Sequence, residues 1–128
     1  MSIHKMIALH PEVKDANEEL ATAARHAMFC SVMCISCADA CSAEQMDMRQ
    51  CIRSCLDCAD ICGATAKLAV RRTAQNVAVL RSMIETCIRA CELCAEECAR
   101  HEHEHCRLCA EMCRECAEDC LKALPTIQ

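Results

Sequence analysis

One spacing recurs four times in this chain and leaves it few ways to fold. CSVMCISCADAC at 30–41, CIRSCLDCADIC at 51–62, CIRACELCAEEC at 87–98 and CAEMCRECAEDC at 109–120 each carry four cysteines at steps of four, three and four. Those steps are the a/d pattern of a heptad, so each quartet shares one face of an α-helix. The quartets are Cys30, Cys34, Cys37 and Cys41; Cys51, Cys55, Cys58 and Cys62; Cys87, Cys91, Cys94 and Cys98; and Cys109, Cys113, Cys116 and Cys120. Cys106 extends the last by three residues. The register continues beyond the thiols, back from Cys30 through Ala27, Ala23, Leu20, Ala16 and Val13, and back from Cys87 through Ile84, Leu80 and Val77.

Four helices follow. The first is expected over 12–42, with Pro11 at its start. Ser42-Ala-Glu-Gln45 reads as a capping box opening the second, which runs to Arg72. The third spans 74–101 with Thr73 as its cap, and the fourth spans 104–123, ahead of Pro125. Residues 1–10 are expected to be a flexible terminus. One Phe, no Tyr or Trp and a single Gly leave little material for β-strands and their turns. Short connections make sequence neighbours antiparallel. The expected fold is therefore all-α, one domain over 1–128, an up-down-up-down four-helix bundle with a cysteine-lined core. The thiols face its axis, towards the end that holds the first and third turns. Val13, Ala16, Leu20, Val77, Leu80 and Leu124 close the other end.

Cysteine-dense chains are commonly secreted disulfide scaffolds. Against that, the cysteine count is odd, the N-terminal MSIHKMIALHPEVKD is not a secretory signal, and the cysteines lie one turn apart along helices. The expected compartment is the cytoplasm, where thiols stay reduced and clustered cysteines point to metal. No apolar run is expected to span a membrane, and a net charge of −5 argues against nucleic acid.

Soft thiolates select Cu(I), zinc or iron–sulfur clusters. Charge separates these. Seventeen thiolates would make about four tetrahedral Zn²⁺ sites and bury a charge near −8, while the seam offers no Lys or Arg at the cysteine layers. Cu(I) shared between bridging thiolates at about one ion per thiolate leaves the core near neutral. Ferredoxin runs use C-x₂-C-x₂-C in a loop followed by proline, and that context is missing. The C-x-x-C pairs sit mid-seam, away from the exposed helix N-terminus that thioredoxin chemistry uses. A zinc or cadmium thiolate buffer, and a thiol-redox sensor forming interhelical disulfides, stay open as alternatives. Buried Cys also packs as a small hydrophobe, so the bundle is expected to fold without metal.

The four C-x₃-C-x₂-C-x₃-C segments, the HPEV start and CARHEHEHCRLCAEMC across the third turn resemble the four-helix-bundle copper storage proteins, in their cytosolic branch. The resemblance covers essentially the whole chain. It implies a non-enzymatic bundle that stores many Cu(I) ions, often as a homotetramer, with His near the mouth helping to bind the outermost copper. Here all four quartets are complete.

The first and third turns carry Met46, Met48, His101, His103 and His105 beside Cys41, Cys51, Cys98 and Cys106. Thioether and imidazole are neutral ligands that suit Cu(I). Met46, Met48, His101 and His105 are the candidate ligands here, set against a plain polar turn for the histidines and packing at the bundle end for the methionines, and His103 is expected to point outward with Glu102 and Glu104. If Met1 is removed, Ser2-Ile3-His4 matches an amino-terminal copper(II) chelate, set against a frayed end. A second apolar set, Met28, Val32, Ile35, Ile52, Leu56, Ile88, Leu108 and Met112, lies off the seam; it is set between burial against other subunits and the scattered apolar surface normal for any protein, and the resemblance implies the former. A copper chaperone or client enzyme is the further expected partner.

Overall fold

Four long helices carry the quartets in the computed structural model, which describes residues 2–12, 16–72 and 75–128. They are α2 (Glu18–Ser42), α3 (Arg49–Val70), α4 (Val77–Cys98) and α5 (Glu104–Ala123); a short α1 (Ile3–Ala8) precedes them and a 3₁₀ turn (Leu124–Thr126) follows. α2 packs on α3 and α5, and α4 on the same two, so the four close a square. The seam residues meet at its centre.

α2 starts later than the heptad pattern suggests. Asn17 takes the left-handed conformation at φ 38° and its Oδ1 accepts from the Leu20 N–H at 3.1 Å. Asn tolerates that region better than most residues, and Glu18 and Glu19 then suit the positive end of the helix. The apolar register runs on towards Val13, which lies outside the described residues, but this cap stops the helix short of it. The terminus expected to be flexible holds α1. Ser2 Oγ accepts from the Lys5 N–H at 3.2 Å, Ile7 is buried, and His4 Nδ1 meets Glu18 Oε2 at 2.6 Å. The His4 nitrogen that the copper(II) chelate would use is therefore engaged by α2.

The expected capping box at Ser42 does not form. Ser42 ends α2 instead of opening α3, and its hydroxyl donates to the Asp39 carbonyl at 2.6 Å. A hydroxyl satisfied by the preceding turn has nothing left for a following one. α3 begins at Arg49, where Asp47 Oδ1 accepts from the Arg49 N–H at 3.1 Å. α4 ends at Cys98 rather than 101, and the Arg100 and His101 N–H groups close turns onto Glu97 and Cys98. The expected cap Thr73 lies outside the described residues. α5 matches its expected bounds, with Pro125 inside the 3₁₀ turn.

The closed end is built from Leu20, Ala23, Ala69, Leu80, Ile84, Ala123 and Ile127, all buried. Asn17 Nδ2 donates to Thr126 Oγ1 at 3.0 Å and Arg81 donates to the Ile127 carbonyl, tying the last residues over it. Thr65 follows Cys62 on the α3 seam, and its hydroxyl donates to the Ile61 carbonyl at 2.8 Å, so a buried polar atom is satisfied within its own helix. The single glycine has a packing role. Ser31 Oγ donates to the Ala59 carbonyl at 2.8 Å, and a Cβ on Gly63 would meet that Oγ at 3.3 Å. On the α2–α5 face, His26 Nδ1 pairs with Asp119.

Two expectations about the outside change. Ile88 and Met112 are buried within this chain, whereas Met28, Val32, Ile35, Leu56 and Leu108 are exposed. α2 also has the length and apolarity of a membrane span, contrary to the sequence reading. Its inward cysteines and alanines supply much of that apolarity.

Candidate metal centre

All seventeen thiols are buried and unpaired by disulfides. Each cysteine inherits its inward direction from the heptad step. The antiparallel turns then bring α2 and α3 into register, with Cys41 level with Cys51 and Cys30 level with Cys62. The resulting sulfur–sulfur distances are narrow in range. Across helices, Cys34 Sγ lies 3.7 Å from both Cys109 and Cys113, Cys55 lies 3.7 Å from Cys98, and Cys62 lies 3.5 Å from Cys91. Along helices, Cys30–Cys34 and Cys94–Cys98 are 3.9 Å apart, and Cys58–Cys62 3.8 Å. Cys87 links to Cys62 at 3.8 Å and to Cys120 at 4.0 Å.

These contacts form tetrads. Cys30, Cys34, Cys58 and Cys113 have sulfurs mutually within 4.8 Å, as do Cys30, Cys58, Cys62 and Cys91; Cys34, Cys94, Cys109 and Cys113; and Cys37, Cys55, Cys98 and Cys109. Every one of these sets shares members with another, so the sulfurs make one lattice rather than separate cages. Cys116 joins through Cys30, Cys62, Cys87 and Cys120, and Cys51 through Cys98 at 3.9 Å.

The spacing bears on metal geometry. Two bonds of about 2.3 Å set at a trigonal or tetrahedral angle span about 3.8–4.0 Å, and a straight S–M–S unit spans about 4.6 Å. The sulfur spacing therefore matches bent bridging. A linear two-coordinate ion must push a pair apart by about 0.6 Å, from a contact near 4.0 Å, as for Cys87–Cys120. Such pushing is tolerable where neighbouring residues are themselves metal-bridged.

Hydrogen bonds from neighbouring thiols, or burial itself, raise most of these groups above the ordinary thiol range. Burial is the first cause raising Cys41, Cys51 and Cys106, the last to about 12. At the deep end Cys116 and Cys87, then burial, hold Cys120 above the ordinary thiol range. Cys37 differs. Cys109 pushes it up, but hydrogen bonds from Cys55, Cys98 and His105 outweigh that and bring it to about 6. The lowering favours its thiolate, the state that binds metal.

The mouth gathers fewer predicted ligands than the turns contain. His105 Nδ1 lies 3.4 Å from Cys37 Sγ and 3.6 Å from Cys106 Sγ, and Cys37, Cys41, His105 and Cys106 form a fifth tetrad within 4.8 Å. The Cys37 thiolate, followed by Glu44, raises the His105 pKa against its partial burial. His101 is turned elsewhere. Its Nε2 meets Glu97 Oε2 at 2.9 Å at the end of α4, where Arg100 holds the other oxygen, also at 2.9 Å. Met48 is 3% exposed and belongs to the core, while Met46 is 54% exposed and stands clear of it. His103 was expected to point away; it stacks on His105 with centroids 5.4 Å apart and rings 5° from parallel.

Glu44 and Glu97 escaped the sequence reading. Glu44 Oε1 lies 3.2 Å from His105 Nε2 and 3.6 Å from His103 Nδ1. The only signal in the sequence was a carboxylate three residues after the last cysteine of α2, and many surface turns have that.

A soft-donor lattice of this size points to one group of proteins. Residues 16–125 match the family described as Csp, copper storage protein. The chain belongs to the copper storage protein family. The copper storage protein Ccsp from Streptomyces lividans, loaded with 10 copper equivalents, is 37% identical, with a TM-score of 0.91 over 97% of this chain and 98% of that one. The cytosolic copper storage protein of Streptomyces lividans carrying five coppers is 42% identical, with a TM-score of 0.82 over 85% and 94%. A histidine-to-alanine variant of Streptomyces lividans Ccsp is 40% identical, with a TM-score of 0.83 over 87% and 96%. No curated protein matches the chain. The chain is a copper storage protein with a cysteine-rich core, and neither the zinc or cadmium buffer nor the redox sensor is favoured.

Proposed function

We propose that this chain is a single-domain cytosolic store for Cu(I), with no catalytic step, in which all seventeen thiols are ligands and His105 completes the outermost site. The observation that carries this is the sharing of cysteines between neighbouring tetrads, Cys30, Cys34, Cys58, Cys109 and Cys113 each belonging to two. An ion held in one set already touches a sulfur of the next. Migration then needs only exchange of one bond at a time, and each ion arriving at a protonated thiol releases that proton. The Cys37 thiolate beside His105 makes the first capture. Met48, buried next to the first layer, is retained as a thioether ligand; Met46 and His101, by their positions, are assigned to the surface of the mouth rather than to an inner site.

The exposed strip of Met28, Val32, Ile35, Leu56 and Leu108 supports a homo-oligomer, and we infer a tetramer. Copper reaches the mouth from a chaperone and leaves to a client enzyme. Anaerobic Cu(I) titration against a competing chelator tests storage. Uptake of about one ion per cysteine with unchanged helical circular dichroism is expected, and saturation at about one ion per four thiols would instead mark a zinc-type buffer. Light scattering of the apo and loaded forms tests the tetramer.

A further inference from the structure

We propose that Glu44 is the positioning residue of the mouth: its carboxylate fixes the His105 ring so that Nδ1 faces the copper held by Cys37 and Cys106. The inference rests on the reading of His105 as a ligand and goes beyond it. A carboxylate has only acceptors. Glu44 Oε1 at 3.2 Å from His105 Nε2 therefore places the hydrogen on Nε2. Nδ1, 3.4 Å from Cys37 Sγ and 3.6 Å from Cys106 Sγ, reaches the Cys37 thiolate through the ring's other proton; copper displaces that proton and takes the Nδ1 lone pair while Nε2–H stays on Glu44. Turned over, the ring would offer copper an N–H.

The carboxylate is itself held in place. The Glu44 N–H donates to the Cys41 carbonyl at 3.2 Å, so the side chain leaves from a fixed point at the end of α2. It reaches across to the start of α5, where the stacked His103 ring bears on the other side of His105 and sets its own Nδ1 3.6 Å from the same oxygen. One carboxylate thus joins two elements that the backbone leaves unconnected at the mouth. Carboxylates behind a ligating imidazole orient it and raise its basicity, and their loss costs about 10–100-fold in metal affinity or activity. The competing explanation is a surface ion pair with an imidazolium, which would contribute little and would act through charge alone.

The test uses the full chain, anaerobic, with Cu(I) supplied by a chelating donor. Uptake rates are compared for wild type, Glu44→Ala, Glu44→Gln, His105→Ala and the double variant Glu44→Ala with His105→Ala. Glu102→Gln, an exposed carboxylate change close by, controls for charge. Glu44→Ala is expected to slow the first uptake phase about 10-fold or more. Glu44→Gln should recover part of it, because its amide oxygen still accepts from Nε2–H. The double variant should be no slower than His105→Ala. Nitrogen-15 spectra of the His105 ring should show hydrogen on Nε2 in wild type and a copper-induced shift at Nδ1. Slowing that adds to that of His105→Ala, or that Glu102→Gln reproduces, overturns the proposal, as does a wild-type ring protonated on Nδ1 alone. Normal uptake by His105→Ala overturns the ligand assignment and this inference together. Total copper bound at saturation reports separately on storage.

Discussion

The two ends of this bundle are made from the same heptad and do opposite work. Towards the turns at 43–48 and 99–103 the seam is sulfur; towards Asn17 and Ile127 it is Leu20, Leu80, Ile84 and alanine. At the closed end, packing of carbon atoms holds the helices at a fixed separation whether or not metal is present. At the thiol end, each small seam residue is a weak core element and, in the function proposed above, a ligand. The comparison teaches that the protein separates its folding element from its cargo site along one axis. A copper-binding lattice can then be assembled before any copper arrives.

Cutting the lattice should have the largest effect. Cys34 and Cys113 both belong to the tetrads that lie between the mouth set and the deep set of Cys62, Cys87, Cys91 and Cys120. Cys34→Ala combined with Cys113→Ala removes the two sulfurs that both of these tetrads share. The capacity lost should exceed the two sites deleted, and the remaining deep thiols should fill at least about 10-fold more slowly, since an ion must leave its thiolates to cross the gap. Stopped-flow loading with a copper-sensitive chelator reads both. A loss of only the two deleted sites, at unchanged rate, would mean that copper reaches the deep thiols by another route.

At the other end the expected effect is on folding. Leu20 is fully buried against Leu80 and Ile127 in the same core, so Leu20→Ala should destabilise the apo protein by about 2–5 kcal/mol. Copper capacity should stay unchanged. Loading should recover much of the lost melting temperature, because ligand bound only to the folded state stabilises it by mass action. Thermal melts of apo and loaded protein measure this. If Leu20→Ala lowered capacity instead, the two ends would not be separable.

Smaller, and confined to the mouth, is a pH effect. Cys37 ionises at about 6 and Cys106 only near 12. Copper at the mouth must therefore displace a proton from Cys106 throughout the neutral range, but from Cys37 only below about pH 6. The raised His105 pKa adds a third competing proton below a point above its ordinary value of 6.5. Mouth affinity should thus fall as pH falls, and fall more steeply on the acid side, each further displaced proton adding about one decade per pH unit. Proton release measured during the first copper equivalent at pH 8 and pH 5.5 should rise at the lower pH. Equal release at both would remove the Cys37 thiolate from the account.

The seam was legible because cysteine placement and helix periodicity are both local, and every thiol that the heptad turned inward is buried. The turns were less so. Ser42 satisfied the letter of a capping box, yet its hydroxyl had a nearer acceptor in the Asp39 carbonyl. Asn17 stopped α2 through one left-handed residue, which no apolar pattern records. The carboxylates behind the mouth histidines were invisible because Glu44 and His105 are brought together only by the closing of the bundle.

That limit also separates the two methionines, which the sequence could not rank. Both precede α3 in the same turn, but Met48 falls three residues before Cys51, on the seam, and is 3% exposed. Met46 falls outside the register and is 54% exposed. Met48→Ala removes a buried side chain next to the first thiol layer, and a loss of about 2–5 kcal/mol is expected. It should also weaken retention of the outermost copper. Met46→Ala should change stability by less than about 0.5 kcal/mol, as surface substitutions usually do. Its copper transfer rate should match wild type. A clear slowing in Met46→Ala would mean that copper is met outside the mouth by a flexible thioether, and that uptake begins one step earlier than the buried thiolate of Cys37.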